Sequence, residues 1–268
     1  MAFRLSRNSQ NNHHQLISTT ILLGSRDLKR GQDAFLQLNS PTNVHVIQLN
    51  TSSRESIVHA IDEIKAKYGG QLDVVINNAA ISTTEITVDT ARELFKTNYY
   101  GVKMLNECLF PLMRQNGRII NVSSRTGTVI LQEASQTIQE KYTSSTLTID
   151  QLDQLVEDFI SAIETNNVEN LGFNLKSTFL VYGVTKAALN ALTQIQARQW
   201  SNTKNLLVVS ATPGLCSTDM TENTPKGRSP ELGANSILYL VNAPRNELQN
   251  GGFYRDGQQL PLINQIVR

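Results

Sequence analysis

Tyr182-Gly-Val-Thr-Lys186 sets a phenol and an ammonium four residues apart in a segment with helical pattern. On a helix that spacing puts both side chains on one face, roughly one turn apart. A fixed positive charge favours the phenolate, so a phenol pKa of about 10 in water is expected to fall, giving a proton donor that works near neutral pH. The pair also has a plainer reading, one core residue and one solvated residue. Polar residues elsewhere in the chain have to decide between the two.

Those residues are positioned by alternating strand and helix patterns. Thr20–Leu23, Val44–Leu49, Leu72–Ile76, Arg118–Val122, Leu206–Ala211 and Gly252–Tyr254 are short β-branched or apolar runs that read as strands. Helical patterns separate them: Asp27 caps one running to about Leu38, and Ile57, Ala60, Ile61 and Ile64 form one apolar face. Further helices are expected over Thr90–Arg114, Tyr182–Trp200 and Pro230–Val241. The near-continuous apolar run Leu72–Ile76 fits a strand buried on both faces. The order predicts α/β architecture, a doubly wound parallel sheet of Rossmann-like type, with ligands at the carboxyl ends of the strands. The residues to read are therefore those just after each run: Gly24–Asp27, Asn50, Asn77–Ala80, Ser123–Arg125 and Thr212–Thr218.

One segment breaks the rhythm, because 57 residues separate Ser124 from Tyr182, too many for a simple crossover. Within it Leu152, Leu155, Val156, Phe159, Ile160 and Ile163 make an apolar stripe, with Thr148-x-x-Gln151 as a capping box. We assign 132–176 as an inserted helical segment, either a lid over the strand ends or a cover for a surface that would otherwise form an oligomer.

Asn77-Asn-Ala-Ala80, Asn98-Tyr-Tyr-Gly101, Asn121-Val-Ser-Ser124, Tyr182-Gly-Val-Thr-Lys186 and Pro213-Gly214 follow one another in that order. Each piece is common, but the ordered set closely resembles the short-chain dehydrogenase/reductase family, over about residues 18 to 260. The long insertion, Thr218-Asp-Met220 and Gly252-Phe-Tyr-Arg-Asp-Gly257 are most similar to monomeric carbonyl reductases that use NADPH. The resemblance implies reduction of aldehydes, ketones or quinones. Tyr182 would protonate the carbonyl oxygen, and Lys186 would lower its pKa and hold the nicotinamide ribose. Ser124 would orient the substrate oxygen, and Asn98 would anchor a water linking Lys186 to solvent. It implies a cofactor site of Arg26, Asn50, Asn78, Tyr182, Lys186, Pro213, Gly214, Leu215 and Thr218. Arg26 could pair bidentately with a 2′-phosphate, which favours NADPH over NADH. Ala80 stands where the family has glycine.

The departure lies at the start. The family opens with a strand, a glycine-rich phosphate loop and a helix, but no glycine precedes Gly24 here. Residues 1–18 read as an atypical polar segment, faintly like a mitochondrial transit sequence, and more plainly as a poorly packed tail. His13–Ile17 would keep the end of the missing helix, and the sheet is expected to lack its first strand, leaving neighbouring edges open. Besides an active reductase, two readings follow: a catalytically impaired relative that acts as a binding protein, or an N-terminus joined in error to the rest.

Net charge is +1 with no long basic run, and no apolar stretch nears the roughly 20 residues needed to span a bilayer. No nucleic-acid or membrane partner is expected. Cys108 and Cys216 lie far apart, the usage of a reduced compartment, so a cytoplasmic location is expected, and the resemblance implies a monomer. The four histidines gather near no acidic or thiol partners, so no metal site is read. No Gly-x-Ser-x-Gly elbow supports a hydrolase.

Overall fold

The computed structural model describes residues 2–8 and 17–263. The strands are β1 (Ala2–Asn8), β2 (Ile17–Ser25), β3 (Val44–Gln48), β4 (Leu72–Asn77), β5 (Met113–Val122), β6 (Leu207–Ala211), β7 (Phe253–Arg255) and β8 (Gln258–Leu260). They form one sheet in the order β3-β2-β1-β4-β5-β6-β7-β8. The pairs β2/β3, β4/β5, β5/β6 and β6/β7 are parallel, as expected.

The expectation of a missing first strand is overturned. β1 fills the central place, but it runs antiparallel to both β2 and β4, with Ala2 opposite Leu23 and Ile76. The edges of β2 and β4 are therefore paired along β1, and residues 2–8 are strand, not tail. Ile17 opens β2, whereas His13–Gln15 and Leu16 lie outside the described residues.

Alternation along the strands sends successive side chains to opposite faces. Val75, Ile119 and Val208 pack on one face with α2 (after α1, Leu28–Gln37; α2 is Arg54–Tyr68), while Val74, Ile120 and Leu207 pack on the other. Both faces of the central strands are buried, which explains their continuous apolar character. Asp27 caps α1 by accepting from the Arg30 N–H, and Ser53 caps α2.

The helix expected over Thr90–Arg114 is instead composite. It comprises α3 (Val88–Phe95), a π-helical turn over Lys96–Tyr100, α4 (Gly101–Leu109) and a 3₁₀ turn at Phe110–Leu112. Pro111 tightens that last turn, and Arg114 already belongs to β5. Then come α5 (Arg125–Glu133), α6 (Gln136–Thr143), α7 (Ile149–Glu164), α8 (Val168–Leu171), the 25-residue α9 (Leu180–Lys204) and α10 (Pro230–Asn242).

The 132–176 segment holds α6, α7 and α8, and the Thr148/Gln151 capping box starts α7. Leu152, Val156, Phe159, Ile160 and Ile163 are buried and Leu155 partly so. This stripe lies against the helical flank made by α3 and α9. Polar ties fix it there: Tyr99 donates to Asp153 at 2.7 Å, Tyr100 to Glu157 at 2.8 Å, and Lys103 to Asp153 at 2.5 Å. Burial and the acceptor carboxylates push both tyrosine pKa values up, so the two phenols stay protonated donors. These contacts set the insertion on the flank made by α3 and α9.

Candidate active site

Ser124 stands at the carboxyl end of β5 and caps α5, accepting from the Thr126 N–H at 3.1 Å. Tyr182 and Lys186 project from the first turns of α9. What brings them together is the close approach of α5 to α9. A Cβ on Gly127 would meet the Ala187 nitrogen at 2.7 Å and the Lys186 carbonyl carbon at 2.8 Å. A Cβ on Gly183 would meet the Ile130 side chain at 2.2 Å. Only hydrogen at both positions allows this spacing, so two glycines in helical segments set the distance between the serine and the tyrosine.

Lys186 is 2 % exposed, and its Nζ donates to the Val122 carbonyl at 2.9 Å and lies 5.6 Å from the Tyr182 ring centroid. Ser123 donates from its hydroxyl to the Lys186 carbonyl at 3.1 Å. Burial pulls the Lys186 pKa down to about 8. Burial also raises the Tyr182 phenol, and a hydrogen bond with Ser124 acts the other way. The expected lowering of the phenol by Lys186 is thus not what dominates. Desolvation disfavours the phenolate, and a lysine that has itself lost water holds its own charge less firmly.

Asn98 sits in the π-turn and is fully buried. Its amide donates to the Ile81 carbonyl at 2.9 Å and to Thr185 Oγ1 at 3.1 Å, and its Oδ1 accepts from the Ile81 N–H at 2.9 Å. Thr185 in turn donates to the Tyr182 carbonyl at 2.7 Å. Asn98 therefore joins the segment after β4 to the α9 turn between Tyr182 and Lys186, and a π-turn at such a junction is a common device at functional sites.

The proposed cofactor residues lie along the same sheet edge. Arg26 is exposed just after β2, and Asn78 is exposed just after β4. Asn50 follows β3 and accepts at Oδ1 from the N–H and hydroxyl of Ser52. Pro213 and Gly214 follow β6, with Gly214 at φ 79° and Leu215 54 % exposed. Thr218 caps a short 3₁₀ turn with Thr221. Loops after β5 and β6 leave together, since the Ser123 N–H donates to the Ala211 carbonyl at 2.7 Å. The residues gathered at Tyr182 are Ser124 and Lys186, with Asn98 tied to the same helical turn; Arg26 and Asn50 belong to the other end of the edge.

Sequence reading missed Ser123, Thr185, Gly127 and Gly183. The two glycines carried a legible signal, since glycine inside a helical pattern marks close approach. Ser123 and Thr185 act through backbone carbonyls of α9, which no local pattern encodes. Among the described residues no cluster of His, Cys, Asp or Glu could hold a metal ion, and no helix is long and apolar enough to cross a membrane.

A family model for short chain dehydrogenases matches residues 18–157. Carbonyl reductase (NADPH) 1 of Sus scrofa is 34% identical over 247 residues, covering 88% of this chain and 83% of that protein. The (+)-neomenthol dehydrogenase of Capsicum annuum is 29% identical over 281 residues, covering 88% and 87%. Among solved structures, salutaridine reductase from Papaver somniferum superposes with a TM-score of 0.77 at 26% identity, covering 87% of this chain and 90% of that one. With the Ser124, Tyr182 and Lys186 arrangement at the strand ends, this similarity establishes that the chain belongs to the short-chain dehydrogenase family.

Proposed function

We propose that the protein is an NADPH-dependent carbonyl reductase acting on aldehydes, ketones or quinones. The observation that carries this reading is the convergence of Ser124, Tyr182 and Lys186 through the glycine-mediated contact of α5 and α9. Relatives named as carbonyl reductases and as a menthol-type dehydrogenase support the same chemistry, and they give no support to an impaired relative.

The residues present fit a nicotinamide dinucleotide at both of its ends. Lys186 Nζ has three N–H groups and spends one on Val122, leaving donors for ribose hydroxyls. Arg26, exposed beyond β2, suits a 2′-phosphate, and Asn50 an adenine edge. Asn78, Pro213, Gly214, Leu215 and Thr218 would line the length between. The cofactor when bound supplies the hydride. Ser124 orients the carbonyl oxygen toward Tyr182, and Tyr182 delivers a proton to it from Oη. A phenol raised by burial rests protonated, the form a general acid must start from. Lys186 steadies the phenolate that remains, and Asn98 anchors the water through which that proton is restored.

The covering α7 supports a monomer, and two free cysteines, Cys108 and Cys216, suit the cytoplasm. The test is NADPH oxidation with an aldehyde or quinone. Tyr182→Phe is expected to lower kcat by roughly 10²–10⁴ while the KM for NADPH stays within about twofold. Unchanged kcat would remove Tyr182 as the acid.

A further inference from the structure

We propose that Phe179 is a specificity-determining residue of this site, an apolar wall beside Tyr182 that selects carbonyl compounds carrying a flat aromatic ring over small aliphatic ones. The inference rests on the reading of the site as a carbonyl reductase and adds which substrates it prefers.

Phe179 is the N-cap of α9, three residues before Tyr182, with φ 60° and ψ 33°. That is the left-handed region, which a bulky L side chain rarely adopts. It does not serve as a polar cap, for it makes no side-chain hydrogen bond to the helix. Its neighbours Leu180 and Val181 are each 1 % exposed, whereas Phe179 is 41 % exposed. The αL turn thus sends the next two side chains into the core and leaves one large ring out in solvent. A backbone outlier of this kind at a site is a reason to look for function.

The ring is not idle. It stands edge-on to Tyr182, with centroids 6.5 Å apart and an interplanar angle of 71°, its one ring contact among the described residues. Tyr182 itself packs against the core, which holds its ring next to Phe179. A substrate whose carbonyl oxygen meets Tyr182 Oη must send a substituent somewhere near that phenol. Phe179 offers an exposed aromatic edge within the 4.5–7 Å range at which rings interact favourably. Covering it with a flat apolar group removes its surface from water; a small aliphatic group covers little of it. Leu215, 54 % exposed, and Met220, 50 % exposed, lie on the loop after β6 that leaves the same sheet edge, in keeping with an apolar approach.

The experiment compares benzaldehyde-type and propanal-type substrates in the full chain with NADPH. Asn is tolerated in the left-handed region, so Phe179→Asn removes the ring while keeping the turn, and Phe179→Tyr keeps the ring. We expect Phe179→Asn to lower kcat/KM for the aromatic aldehyde about tenfold, mainly through KM, with propanal changed less than about twofold. Phe179→Tyr should stay near wild type on both. An equal loss on both aldehydes in Phe179→Asn would mean that the ring merely steadies Tyr182, and no loss on either would mean that substrate never meets it. Either result overturns the inference while leaving the reductase reading intact. Absence of NADPH-dependent reduction of any carbonyl by the wild type would instead overturn that reading and this inference with it.

Discussion

The two ends of the carboxyl edge of the sheet are secured in different ways. At the acid end, Ser124, Tyr182 and Lys186 hang on buried contacts. Beneath them lies an amide network in which Asn77 donates to Asn106 and Asn121, each at 2.7 Å, Asn106 to Gln196 at 2.9 Å, and Asn121 to Thr193 at 2.9 Å. All five residues are at most 1 % exposed. This network ties β4 and β5 to α4 and α9, and so fixes the helix that carries the acid. At the other end, around β2 and β3, Arg26 is exposed and Asn50 is held by Ser52, Ser53 and Ser56 within one local turn. Buried polar groups that hydrogen-bond one another favour one arrangement, even though Asn77 Oδ1 and Gln196 Nε2 in this network lack a partner, whereas exposed side chains are adjustable and contribute little to stability. The geometry around Tyr182 belongs to the fold, and the cofactor contacts proposed near Arg26 belong to the surface.

The sharpest way to break this contrast is Gly127→Ala. The added methyl meets backbone atoms at 2.7 and 2.8 Å, which cannot swing aside. We expect a loss of about 3 kcal/mol in unfolding free energy, read by denaturant midpoint. We also expect kcat to fall at least tenfold as Ser124 is pushed from Tyr182. Native stability would mean that the α5–α9 contact is loose and the acid end no more rigid than the other.

A smaller effect separates the ends by pH. Lys186 has its pKa lowered from 10.5 to about 8 by burial, so between those values the unfolded chain binds more protons than the folded one. Stability contributed through this group therefore rises with pH over that window. The wild type should gain about 2 kcal/mol relative to Lys186→Met between pH 8 and pH 10. Parallel pH profiles for the two proteins would show that the lysine is not buried as a charge. With the role proposed for Lys186, catalysis is expected to respond in the opposite sense, since a charged Lys186 is lost as pH climbs through about 8.

The smallest effect on the fold is expected at the exposed end. Arg26→Ala should raise the KM for NADPH about tenfold and leave that for NADH unchanged, with thermal stability altered by less than about 0.5 kcal/mol. Equal effects on both cofactors would detach Arg26 from the 2′-phosphate.

Much of the architecture was legible because its strands are short β-branched runs and its caps are local. Asp27 and the Thr148/Gln151 box each announce a helix within four residues. The Tyr182/Lys186 pair was legible for the same reason. β1 was not: Phe3 and Leu5 alternate with Arg4 and Ser6, a two-residue period hidden by the polar composition of the whole tail. Its direction depends on partners at β2 and β4, which no local pattern specifies. The π-turn at Asn98 reads as ordinary helix, because its register is set by Ile81 and Thr185 across the fold. The direction of the Tyr182 shift was missed because spacing shows a neighbouring charge but not how much water either group loses.

The reversed β1 also bears on how the chain comes to be folded. A parallel central strand reaches its neighbour only through a crossover, whereas β1 meets β2 after eight intervening residues, Asn8 facing Ile17. Hairpins close in about 1–10 μs, and sequence-local contacts favour fast folding. This hairpin can assemble before β3 and β4 are made. Yet its second edge must wait for β4, which begins at Leu72, and until then it is an open template for other strands. The interval between making β2 and making β4 is when this protein is most exposed to mispairing.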